Sequence, residues 1–71
     1  MKNKLETKVN YYENGQKKEV RNYKNGREEG LQTDWYENGQ KKMEGNFKDG
    51  MLDGLETEWD EEGKVTKGEL V

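Results

Sequence analysis

The residues able to do chemistry here are carboxylates, lysines and aromatics, because the 71-residue chain has neither Cys nor His. That excludes disulfides, Cys/His zinc sites and His-based acid–base or triad catalysis. Glu28-Glu29, Asp34, Glu56, Glu58, Asp60, Glu61 and Glu62 form acidic clusters. Paired carboxylates can perform acid–base work or bind calcium. EF-hand spacing is absent, however, and carboxylates on a strand face are ordinarily just solvated. No catalytic residue, cofactor or metal site is nominated, and the chain reads as non-enzymatic. Lys17-Lys18 and Lys41-Lys42 could meet anionic phospholipid headgroups, at ~1 kcal/mol per lysine near a membrane surface. The competing reading is cross-strand ion pairing with neighbouring acids. Tyr23, Trp35, Phe47 and Trp59 could stack nucleobases or insert into a membrane interface, although at period-two spacing on a sheet such residues more often form a core or interface. Nucleic-acid binding wants a basic surface, though, and this chain carries a net charge of −3. Asn14-Gly15 and Asn38-Gly39 could cradle an anion on backbone N–H groups, but hairpin turns explain both pairs.

What positions these residues is a repeat. Tyr12-Glu13-Asn14-Gly15-Gln16-Lys17-Lys18 returns unchanged as Tyr36-Glu37-Asn38-Gly39-Gln40-Lys41-Lys42, and Trp35 and Trp59 keep the same 24-residue offset. A fixed period of this length marks a repeat array. Residues 12–35 form the first repeat and 36–59 the second, with 14 of 24 positions identical. Residues 1–11 read as a degenerate opening half-repeat and 60–71 as a capping one, since terminal repeats of an array are atypical.

Gly15, Gly39 and Gly63 close short turns, Gly26 and Gly50 open longer ones, and Gly30 and Gly54 end those. Between them lie six strand-like segments: Leu5–Tyr12, Gln16–Lys24, Leu31–Tyr36, Gln40–Lys48, Leu55–Asp60 and Lys64–Val71. Their Thr, Val, Tyr, Trp and Phe favour strand, and short loops make sequential strands antiparallel. The expected fold is all-β: an antiparallel meander of about six strands built from hairpin repeats in a single twisted sheet, with no helix.

Register decides which side chains share a face, because a one-residue slip moves each to the other side. A two-residue Asn-Gly loop pairs Trp35 with Lys42 and Thr33 with Glu44, and sets Phe47 opposite the face of Trp35. A three-residue loop, Glu37-Asn38-Gly39, with Gly39 in a bulge, pairs Trp35 with Lys41, Thr33 with Met43 and Leu31 with Gly45. The second register gathers Leu5, Val9, Tyr11, Tyr23, Leu31, Trp35, Met43, Phe47, Leu55, Trp59, Val65 and Val71 on one face, and is the one expected. With no helix to cover it, such a face marks an interface. Tyr23, Leu31, Trp35, Met43, Phe47, Leu55 and Trp59 are its candidate residues, and the expected partner is another protein or a second copy of the chain.

The unit Tyr36–Trp59, with its Glu-Gly-Asn-Phe-Lys-Asp-Gly and Asp-Gly-Leu blocks, resembles the bacterial variant of the MORN repeat (membrane occupation and recognition nexus), and in particular the YwqK-type antitoxin-like family. The resemblance covers about residues 5–71. The first copy departs from the pattern at Val20-Arg21, where the second has Glu44-Gly45. The resemblance implies an elongated single-layer sheet of hairpins acting in interaction and scaffolding, with phospholipid binding proposed and disputed for the family. Related repeats precede the catalytic domain of plant phosphatidylinositol phosphate kinases, but no nucleotide loop or catalytic-loop motif supports that activity here. The N-terminus lacks an apolar h-region and the longest apolar run is two residues. The chain is therefore expected to be cytoplasmic, without signal peptide or transmembrane span.

Overall fold

Glycine in turns sets the architecture. The computed structural model describes residues 4–70. They form one antiparallel sheet: β1 (Leu5–Tyr11), β2 (Lys17–Lys24), β3 (Arg27–Glu28), β4 (Gly30–Trp35), β5 (Lys41–Lys48), β6 (Met51–Trp59) and β7 (Val65–Leu70). The order is β1-β2-β4-β5-β6-β7, with β3 paired to β2. No helix among the described residues is long and apolar enough to cross a membrane. The expected all-β hairpin meander is therefore what forms, with seven strands instead of six. The extra strand arises because the return strand of the first repeat breaks at Glu29. Its counterpart β6 runs unbroken past Gly54, although Gly30 and Gly54 share a left-handed backbone, at φ 89 and 95.

The longer loops expected after Gly26 and Gly50 do not exist. Asn25-Gly26 and Asp49-Gly50 are tight turns with positive φ at both positions, 53 and 83, then 52 and 82. That is the type I′ pattern, whose twist matches paired strands.

At the other end of each hairpin the loop has three residues. Tyr36 N donates to Gln40 O at 2.8 Å, Gly39 N donates to Tyr36 O at 3.0 Å, and Gly39 is left-handed at φ 90. Trp35 accordingly pairs with Lys41. The expected register ends there. One extra residue, Lys42, is bulged out, and beyond it Asp34 pairs with Met43, Thr33 with Glu44 and Gln32 with Gly45. The same slip recurs at Asn10/Tyr11, where Lys18 is extra, and at Glu58/Trp59, where Thr66 is extra. The pairings Thr33–Met43 and Leu31–Gly45 are thus corrected. A bulge at every corner undoes the register set by the loop.

The faces change with it. Strand alternation puts Leu5, Val9, Tyr11, Val20, Leu31, Trp35, Leu55, Trp59 and Val65 on one side, here the tryptophan face. Tyr23, Met43 and Phe47 lie on the other, with Arg21, Gln32, Asp34, Glu56 and Glu58: the arginine face. The single shared face expected for all seven candidate residues is therefore split. Val71, placed on that face by the sequence reading, lies outside the described residues.

The sheet is one layer thick, with extents of 44 × 31 × 9 Å. Among the described residues no apolar side chain is buried, and the buried polar ones are Gln32 and Thr33. Gln32 behaves as a substitute peptide unit. Its Oε1 accepts from Asn22 N at 2.7 Å and its Nε2 donates to Asn22 O at 2.8 Å. This bridges β2 and β4 next to the break at Glu29, where ladder bonds would otherwise be lost.

Candidate interaction surface

The repeated Tyr-Glu-Asn-Gly corner is a clasp between consecutive hairpins. Tyr12 Oη donates to Trp35 O at 2.7 Å, and Tyr36 Oη to Trp59 O at 2.8 Å. Asn14 Nδ2 donates to Glu37 O at 3.0 Å, and Asn38 Nδ2 to Glu61 O at 2.9 Å. Each asparagine also uses Oδ1 locally, accepting from the Gln16 or Gln40 N–H at 2.9 Å. The Gly15 and Gly39 N–H groups bond back to Tyr12 O and Tyr36 O. These backbone donors are consumed by the turn, which removes the anion-cradle reading. In the third corner Asp60 takes over the local part, its Oδ1 accepting from Glu62 N at 2.9 Å and Lys64 N at 3.0 Å. The clasps stack the corners along one edge of the sheet. Sequence reading missed this role; the signal was that Tyr and Asn recur with the glycine, although a turn alone needs only the Asn-Gly.

The clasps hold the backbone of each tryptophan and so align an aromatic row on the tryptophan face: Tyr11, Trp35 and Trp59, at equivalent places in β1, β4 and β6. Two clefts lie beside it. One, of ≈ 350 Å³, is lined by Tyr11, Gly15, Gln16, Lys17, Trp35 and Gly39. The other, of ≈ 200 Å³, is lined by Gln40, Lys41, Trp59 and Gly63. Lys17 Nζ stands 5.8 Å from the Trp35 ring centroid, within cation–π range. Lys41 Nζ is 2.9 Å from Glu44 Oε2, which also accepts from Thr33 Oγ1 at 3.1 Å. Among the described residues Leu5, Tyr11, Leu31, Met51, Leu55 and Val65 are the exposed large apolar ones, at 50–73%. Register places all six on this face.

The arginine face is polar. Arg21 Nη1 lies 2.8 Å from Asp34 Oδ1, Nη2 3.5 Å from Glu19 and Nε 3.8 Å from Glu28. Burial works against this guanidinium's charge, but the Asp34 contact and the fields of Asp34, Glu19 and Glu28 outweigh it and hold its pKa above the ordinary arginine value. The second repeat has Gly45 here. Phe47 and Leu52 close over it; a Cβ at 45 would meet Leu52 Cδ1 at 3.0 Å and Phe47 Cε1 at 3.5 Å. One position is thus filled by an ion cluster in one repeat and by two apolar side chains in the other. Three more members of the acidic clusters have partners. Lys67 Nζ is 3.0 Å from Glu56 and 3.7 Å from Glu58, and Glu29 accepts from Asp49 N at 3.2 Å.

Of the seven candidate interface residues, the structure brings together Leu31, Trp35, Leu55 and Trp59, and sets Tyr23, Met43 and Phe47 behind the sheet. Of the four candidate lipid contacts, Lys17 and Lys41 join the tryptophan face. Lys18 and Lys42 lie over the Tyr12 and Tyr36 rings, each at 5.7 Å. Neighbouring lysines thus belong to different surfaces.

A single-layer sheet of tandem hairpins, clasped corner to corner and with no apolar side chain buried among the described residues, defines a β-hairpin repeat protein. The chain belongs to the MORN repeat variant family, whose model matches residues 4–25, 28–49 and 52–67. The matches start 24 residues apart, and each spans one corner with the strands on either side of it. Membership makes the chain a repeat module of a kind often involved in protein or membrane interaction. Comparisons with curated proteins and with solved structures gave no significant match.

Proposed function

We propose that this chain is a non-enzymatic module for protein–protein interaction that self-associates through its tryptophan face. One observation carries the reading. Among the described residues, the six exposed large apolar side chains all lie on one side of the sheet, and no apolar side chain is buried. Each such side chain gains ~1.5–3 kcal/mol on full burial, and the described residues of so small a chain supply no other core. The sheet's 44 × 31 Å outline exceeds the ~800 Å² that each partner contributes to a standard interface. A second copy offers the same apolar face, and a two-fold pairing makes it self-complementary. By resemblance to bacterial antitoxin-like relatives, the proposal extends to a cytoplasmic module whose apolar face can equally cover the surface of another protein.

Peripheral binding to anionic phospholipid is the second reading. Lys17 and Lys41 on the same face as Tyr11, Trp35 and Trp59 favour it, since cations beside aromatics suit a membrane interface. Light scattering and vesicle sedimentation separate the two. A concentration-dependent dimer, indifferent to lipid, supports self-association. A chain monomeric at all concentrations that sediments with anionic vesicles only at low salt supports the membrane reading.

A further inference from the structure

We propose that the row Tyr11–Trp35–Trp59 receives a polyproline II segment of a partner protein, with an apolar residue at every third position and acidic residues between. The inference rests on the reading of the tryptophan face as a protein-contact surface and names the partner's chemistry.

The argument is one of period. The three rings sit on strands two places apart in the sheet, β1, β4 and β6. Neighbouring strands are ~4.7–4.9 Å apart, so the row repeats every ~9.6 Å. An extended β-strand returns a side chain to the same side every ~6.7 Å, which falls out of step at the second ring. A polyproline II helix has three residues per turn at ~3.1 Å each, so one stripe of its side chains recurs every ~9.3 Å. An α-helix matches at best through positions seven apart, ~10.5 Å, and drifts by nearly 2 Å over the row. The polyproline II stripe therefore follows the rings most closely. Its side chains would enter the two clefts in turn. Aromatic-lined grooves are also the established kind of seat for such helices.

The polar lining fits the same ligand. A polyproline II backbone has no internal hydrogen bonds, so its carbonyls need outside donors. The Gln16 and Gln40 side chains line one cleft each and pass over Gly39 and Gly63, with Oε1 3.5 Å from where a Cβ would stand. With Oε1 against the glycine, the Nε2 of each amide is the donor that a ligand carbonyl would use. Lys17 and Lys41 line the same clefts, one in each. Lys17 favours an acidic residue between the apolar ones directly, while Lys41 shares its charge with Glu44.

Trp fluorescence and calorimetry test this with synthetic peptides, at protein concentrations where light scattering shows a monomer. A twelve-residue Pro-Pro-Glu repeat carries the three-residue period. A Pro-Glu repeat of the same length is also polyproline II but winds its prolines around the helix, and a helical peptide of equal charge is the third probe. The expected result is at least tenfold tighter binding of Pro-Pro-Glu than of either control, with a change in Trp emission. Charge reversal, Lys17→Glu with Lys41→Glu, should switch the preference to Pro-Pro-Lys; circular dichroism of that variant confirms the sheet. Equal affinity for the Pro-Glu repeat, tighter binding of the helical peptide, or an unswitched preference would overturn the proposal. If the chain self-associates through the tryptophan face yet ignores Pro-Pro-Glu, this inference fails and the interaction reading stands. If it neither associates nor binds any peptide, both fail.

Discussion

At the scale of single residues, the polar side chains do the stitching. Tyr36→Phe deletes only the hydroxyl that holds Trp59 O. It is expected to cost about 0.5–1.5 kcal/mol, read as a thermal midpoint lowered by several degrees. Arg21→Ala leaves Asp34, Glu19 and Glu28 facing one another across a half-buried space. The expected loss is about 1–3 kcal/mol by urea denaturation, between that of an exposed and that of a buried ion pair. The raised pKa of Arg21 fixes the sign of its pH dependence. A base whose pKa is raised by folding gives its full stabilisation below the unfolded value and loses it only as pH rises through the folded one. Both values lie at extreme alkaline pH, so the loss measured for Arg21→Ala should be the same at about pH 7 and about pH 9. A loss that shrank over that range would mean that the cluster is not what Arg21 stabilises. None of these roles was legible as such. Tyr12, Tyr36, Asn14 and Asn38 stood in the repeated stretch, but their partners lie 23 residues further on.

At the scale of elements, turn chemistry was readable and the bulges were not. Asn-Gly marks the corner at Glu37–Gly39 and suits a two-residue loop equally well; the three-residue loop was read from which side chains it gathers, with Gly39 free to take positive φ. The extra residue at Lys42 has no such signature, because a lysine tolerates a bulge as well as a regular strand. Two glycine substitutions separate the roles of these elements. Gly39→Ala forces a Cβ into the left-handed region and should cost about 1–2 kcal/mol. Gly45→Ala sits on ordinary backbone. It asks only the flexible end of Leu52 to move by a few tenths of an ångström, and lowered unfolded-state entropy offsets part of that. Although Gly45 is buried, the change should cost less than about 1 kcal/mol, below the loss for Gly39→Ala, because the crowding falls on a flexible side-chain end. Equal losses for the two, measured by denaturant titration, would remove the claim that backbone conformation and not space requires Gly39.

At the scale of the whole molecule, a sheet 9 Å thick cannot hide its own apolar side chains. If the tryptophan face is the contact surface, Leu31→Thr with Leu55→Thr should abolish concentration-dependent assembly while keeping strand-forming residues in place. Met43→Thr, on the arginine face, should leave assembly intact. Light scattering reads both. Trp emission should shift to the blue on association, because Trp35 and Trp59 are only half-buried within one chain. Loss of assembly in Met43→Thr but not in the leucine variant would place the interface on the opposite face.

The sequence by itself determined the period, the hairpin series, the corner type and the absence of any helix. These depend on local preferences and on a repeat that is visible by inspection. It also marked most of the residues that end up on the tryptophan face. Only the tertiary structure decided that Tyr23, Met43 and Phe47 leave that face, that Arg21 and Gly45 solve one position in two ways, and that each corner is tied to the next. The physical reason is shared. A bulge of one residue reverses the facing of every position beyond it, and a clasp joins groups a full repeat apart. Both depend on how strands lie beside one another, which no stretch of neighbouring residues records.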